Sequence, residues 1–136
     1  MTSRAITSFL AAGALLTALI TSGCTTSEPP AVCSAVDSLK ASVSEVTDID
    51  LDQGALAELQ DKLTQVKTDL GQVKDDAKNE YATEIDAVDQ AAASVGTSVD
   101  AAKTTPSVEA VADVGTAVQA LGASLRALEE AVTSTC

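Results

Sequence analysis

Val73-Lys74-Asp75-Asp76-Ala77-Lys78-Asn79-Glu80-Tyr81 decides how the middle of this chain is read. Before it, Leu56, Leu59, Leu63, Val66, Leu70 and Val73 step in threes and fours, with Ala77 next. After it, Tyr81, Ile85, Val88, Ala92, Val95, Val99 and Ala102 keep the same rhythm. Such alternation is the seam of a helix packed on another helix. From Val73 to Tyr81 the step is eight, where a heptad seam wants seven. No Pro or Gly stands between them to mark a turn. The spacing therefore predicts one central helix over about 54–103 whose apolar face rotates by about 100° midway. A helix with two faces needs two partners, one for each half.

The flanking stretches supply them. After Pro29-Pro30, the residues Val32, Val36, Leu39, Val43 and Val46 predict a first helix over about 31–47. Ser34, Asp37, Ser38, Lys40 and Ser44 take its outer side. Thr104-Thr105-Pro106 open a last helix over about 106–134, with the seam Val108, Val111, Val114, Val118, Leu121, Leu125, Leu128 and Val132. Gly115 and Gly122 sit off that seam, where they allow close approach. The predicted fold class is all-α: an antiparallel helical bundle or coiled coil, with the two shorter helices folded back along a central helix about 75 Å long. The alternative is a four-helix up-down bundle with a turn near 75–83, whose weakness is a tight turn without Gly or Pro.

Between the first two helices lies Asp48-Ile49-Asp50-Leu51-Asp52-Gln53-Gly54. Alternating carboxylates invite a calcium reading, but an EF-hand loop wants Gly sixth and Glu twelfth. Counted from Asp48, the sixth residue is Gln53, and Glu58 stands eleventh. The simpler reading has Asp52 capping the next helix, acids at the positive end of its dipole, and Ile49 and Leu51 closing the end of the core.

The N-terminus reads as an address. Arg4 is the one charge before Glu28, an apolar run extends from Ala5 to Ile20, and Thr21-Ser22-Gly23-Cys24 follows. That is the layout of a secretory signal, and the run is short for a spanning helix. Ser22-Gly23-Cys24 resembles the signal of bacterial lipoproteins, although Thr21 stands where their pattern usually has Leu. The resemblance implies a diacylglyceryl group on the Cys24 sulfur and cleavage just before it; ordinary cleavage without lipid is the alternative. The expected organisation is a signal peptide at 1–23, a lipidated Cys24 with a Pro-ended tether at 24–30, and a helical domain at 31–136.

With Cys24 lipidated, Cys33 and Cys136 remain, an even number in an oxidising place. A bridge between them would close a loop of about 100 residues and stabilise by up to about 4–5 kcal/mol on the chain-entropy account. Three similar helices running up, down and up would hold these cysteines at opposite ends. A long central helix with two helices folded back would bring them together beside roughly Leu70 to Val73, and four helices would also bring them together.

Composition narrows function. The formal net charge is −12, which excludes grip on a nucleic-acid backbone and disfavours adhesion to anionic lipid heads. Phe and Tyr occur once each and Trp is absent, so the core must be Val, Leu and Ala. Without His there is no imidazole base and no His metal site. The glycines stand alone, and Ser and Thr are scattered without a base to activate them. The sequence predicts no catalytic residue, no cofactor and no metal.

Ser22-Gly23-Cys24, the tether, the cysteine near the mature start, the helical Ala/Val/Asp-rich body and the terminal Cys136 together resemble the small lipoproteins of actinobacterial cell envelopes. The resemblance implies location and shape and carries no activity. A looser comparison is the murein lipoprotein, which ends in a wall-joining Lys where this chain has Cys136. The expected function is that of an exported, lipid-anchored, non-enzymatic helical module facing outside the cytoplasm. It would act by protein contact as spacer, adaptor or accessory subunit, with an envelope protein as partner and self-association as a further option. A ligand- or metal-binding envelope lipoprotein is the rival expectation.

Overall fold

The structure is a computed structural model and describes residues 29–52 and 54–136. Four helices run through it: α1 (Ala31–Thr47), α2 (Leu56–Ala77), α3 (Ala82–Thr104) and α4 (Val108–Val132). The expected signal peptide, and Cys24 with the tether as far as Glu28, lie outside the described residues.

The all-α bundle expected from the seams is present, but the single central helix is not. The chain stops being helical at Ala77 and resumes at Ala82. Lys78 takes φ 57° and ψ −105°, Tyr81 takes φ 59° and ψ 21°, and the Glu80 amide donates to the Ala77 carbonyl at 2.9 Å. Positive φ is the geometry glycine adopts freely and other residues adopt with strain. Here a lysine and a tyrosine adopt it, so the turn forms without Gly or Pro. The step of eight is the signature of this reversal rather than of a rotated seam. Val73 and Ala77 close one apolar face, and Ile85 opens the next.

Polar ties between helices fix their directions. Ser42 meets Asp69 and Glu45 meets Lys62, so α1 and α2 run antiparallel. Gln60 bonds Asp100 while Lys74 pairs with Asp89, so α2 and α3 do as well. Tyr81 at the start of α3 reaches Thr135 just past the end of α4, and Lys40 of α1 reaches Glu129 of α4. The result is an up-down-up-down bundle in which α1 packs beside α4, and α1 faces α3, and α2 faces α4, only across the core.

Among the described residues no aromatic ring is fully buried in the core. Val32, Val36, Leu39, Val43 and Val46 meet Leu59, Leu63, Val66, Leu70, Val88, Val95, Val99, Leu121, Leu125 and Leu128, all buried. Ala35, Ala77, Ala91, Ala92 and Ala102 fill the gaps between them. Such short side chains let the helices approach closely, and their combined burial supplies the main stabilisation.

α1 has 17 residues against 22 to 25 in the others, so it stops short of the far end. The connection after it folds over the gap. Ile49 and Leu51 pack against the core, and a Cβ on Gly115 would sit 3.3 Å from Leu51 Cδ1. A Cβ on Gly122 would likewise sit 3.7 Å from Thr47 Cγ2. Val108, expected on the seam, is 84% exposed. The buried seam of α4 starts at Val114, and the helix runs to Val132 with Ser107 as its cap, accepting from the Ala110 amide at 3.0 Å.

Candidate functional site

Four features of the described residues meet at one pole of the bundle: the entry into α1 at Pro30, the last residues, the reversal between α2 and α3, and the disulfide. Pro30 leads into α1, its fixed φ suiting a helix start, and its carbonyl accepts from the Cys33 amide at 2.9 Å. Two turns of chemistry lie side by side there. Cys33 and Cys136 are joined as a disulfide with their Cα atoms 5.6 Å apart and 103 residues of sequence between them. The bridge lies at the pole itself, not partway along a longer helix beside Leu70 to Val73, because α2 ends at Ala77 and α3 turns back from there. Cys136 is exposed and Cys33 half-buried.

The last residues are pinned to this pole. The amides of Thr135 and Cys136 both donate to the Val132 carbonyl at 2.9 Å. The Tyr81 hydroxyl hydrogen-bonds the Thr135 hydroxyl, and the Tyr81 ring packs against the core. The left-handed backbone of Tyr81 is thus held by a tie to the far end of the sequence. Nothing in the seam pattern announces that tie. Tyr81 being the one tyrosine in an otherwise aromatic-poor body is the signal that could have found it.

About two turns deeper, Lys40 Nζ lies 2.7 Å from Glu129 Oε1. The Glu129 hydrogen bond, and then its charge, hold Lys40 above the usual lysine value. Glu45 does the same for Lys62 on the other side of α1. Ser42, the one buried polar residue among those described, donates to Asp69 on α2 and to the Ser38 carbonyl, so it leaves no polar atom unpaired.

At the opposite pole, Asp48, Asp50 and Asp52 line an open depression with Glu45, Glu58 and Lys62. Asp52 Oδ1 accepts from the Ala55 amide at 2.8 Å, as a cap for the turn that leads into α2. Among the described residues no three of His, Cys, Asp and Glu converge as a metal site would require. No helix among the described residues is long and apolar enough to cross a membrane. The remaining concavities are open surface grooves, such as the one between Pro29, Cys33, Val36 and Cys136. The Cys33–Cys136 bridge is open to thiol–disulfide exchange.

Comparison with known protein families, with curated proteins and with solved structures finds no match.

Proposed function

We propose that this chain is an exported lipoprotein, anchored through Cys24, that works by protein contact in the cell envelope as a spacer, adaptor or accessory subunit and catalyses no reaction. One observation carries the reading. The segment after Cys24 enters the bundle at the pole closed by Cys33 and Cys136, so a lipid on Cys24 would hold that pole toward the membrane. The opposite pole and the outer helix faces are then what the protein presents. The tether Thr25-Thr26-Ser27-Glu28-Pro29-Pro30 is small, polar and Pro-ended, as an extended spacer should be. The tight Val/Leu/Ala packing supports contact rather than catalysis, since substrate chemistry needs a concave site with convergent polar groups.

The test has two arms. Cys24→Ala should abolish lipid labelling and release the protein from the membrane fraction; full retention with normal processing would contradict the anchor. Crosslinking in intact envelopes, followed by purification of this chain, should return a defined protein partner. Recovery of the chain alone at every crosslinker length would contradict action by contact.

A further inference from the structure

The four helices are two hairpins. The α1–α2 and α3–α4 faces are the broadest, α2–α3 is narrower, and α1–α4 is the narrowest. Each hairpin is closed by its own connection at the far pole. At the near pole the hairpins are joined twice: through the turn Lys78–Tyr81 between α2 and α3, and through Cys33–Cys136 between α1 and α4. The disulfide therefore sits on the seam with the least packing of its own.

We propose that the Cys33–Cys136 bridge is a redox clasp. Its reduction by a dithiol parts α1 from α4, and the two hairpins open along that seam with the α2–α3 face as the spine, which stays packed, as does the inside of each hairpin. The proposal does not depend on the lipid anchor.

The exchange runs through Cys136, the more exposed residue of the pair. A thiolate of the dithiol attacks Cys136 Sγ and forms a mixed disulfide; the S–S electron pair leaves with Cys33 Sγ, which takes a proton. The second thiol of the reductant attacks its own sulfur in the mixed disulfide and releases Cys136, which takes the other proton. Two electrons and two protons pass to the protein, and the dithiol becomes a disulfide.

Each freed cysteine stays with its own hairpin. Cys136 is held to α4 by the hydrogen bond its amide donates to the Val132 carbonyl, and its neighbour Thr135 is tied to Tyr81 at the start of α3. Cys33 lies in the first turn of α1, which Ser42–Asp69 and Glu45–Lys62 fasten to α2. Across the α1–α4 seam the described residues show one ion pair, Lys40–Glu129, and Lys40 is 58% exposed. Solvated pairs of that kind hold helices together weakly. Toward the far end of the seam, Thr47 and Leu51 lie close to Gly122 and Gly115 of α4. Local opening takes the path of least packing, and that path is this seam.

Three ion pairs report on three seams in one experiment: Lys40–Glu129 for α1–α4, Lys62–Glu45 for α1–α2 and Lys74–Asp89 for α2–α3, each 2.7 Å apart. A carbodiimide joins such pairs as amides, which peptide mass spectrometry counts. The purified protein is treated with carbodiimide in its oxidised form and after reduction with dithiothreitol. Reduction should lower the Lys40–Glu129 amide by about tenfold or more and leave the other two within about twofold, as expected for local opening. The double variant Cys33→Ser, Cys136→Ser, treated without reductant, should give the reduced pattern with helix content near wild type. Retention of all three amides after reduction would overturn the proposal, because the seam then needs no clasp. Loss of either of the other two would also overturn it, because the opening is then not confined to the α1–α4 seam. A double variant without helical structure counts as the second of these results.

Discussion

Glycine in place of Lys78 should stabilise the bundle. Lys78 stands at the first central position of the turn closed by Glu80 and Ala77, with φ 57° and ψ −105°. That is the geometry of a type II′ turn, where glycine is the preferred residue. A residue with a Cβ held there costs about 1–3 kcal/mol in strain. The Lys78 side chain is exposed, so its removal forfeits little packing. Against the relief stands the larger freedom glycine gains in the unfolded chain, about 0.5–1 kcal/mol. The net gain is about 1 kcal/mol, a rise in melting temperature of about 4–8 °C for a domain of this size. Thermal unfolding of the oxidised protein by far-UV circular dichroism reads it directly. The sign is what matters. Were 54–103 one continuous helix, the same glycine would sit in a helix interior and destabilise by about 1 kcal/mol. A fall in melting temperature would refute the turn and the four-helix topology with it.

Gly71→Ala should stabilise by about 1 kcal/mol in the same assay, because a Cβ there meets nothing within 4 Å and alanine favours the helix. Tyr81→Phe keeps the ring against the core but drops the bond to Thr135, which should lower stability by about 0.5–1.5 kcal/mol in chemical denaturation. Leu59→Ala, at a fully buried position, should destabilise by about 2–5 kcal/mol by urea titration. Added sodium chloride should raise the melting temperature, since screening relieves the repulsion of a chain with net charge −12; a flat or falling response would show that the surface ion pairs outweigh it.

The seams were legible because a core of Val, Leu and Ala leaves the threes-and-fours spacing almost undisturbed, and α1 emerges with the bounds 31–47 read from its valines. The break at Lys78–Tyr81 was legible only as the alternative, a four-helix bundle with a turn near 75–83, because the turn is made by residues whose chemistry opposes it. Positive φ at a lysine and a tyrosine is imposed by the hairpin around them and, at Tyr81, by a hydrogen bond to a residue 54 positions away. Local propensity carries no trace of such a constraint. Val108 misled for a related reason: its spacing fits the seam of α4, but α1 ends too early to cover it. The pairing of Cys33 with Cys136 was accessible by counting cysteines, whereas its place on the thinnest seam required the packing of all four helices. The polar ties Ser42–Asp69 and Lys40–Glu129 join helices distant in sequence, and no spacing rule links them.

The central claim is that the chain reverses at Lys78–Tyr81 and so gathers its first helix, its last helix and its bridge at one pole. A pulsed electron–electron distance between spin labels on Asp61 and Asp100 tests it most directly. Both residues are exposed, and labels introduced through non-natural residues would leave the cysteines untouched. Gln60 bonds Asp100 at 2.8 Å, so the two sites lie level on neighbouring helices. Helices about 10–12 Å across should then give one short distance, within roughly 25–30 Å. An unbroken helix would hold the same two positions about 58 Å apart, and a distance near that value would contradict the fold and the reading built on it.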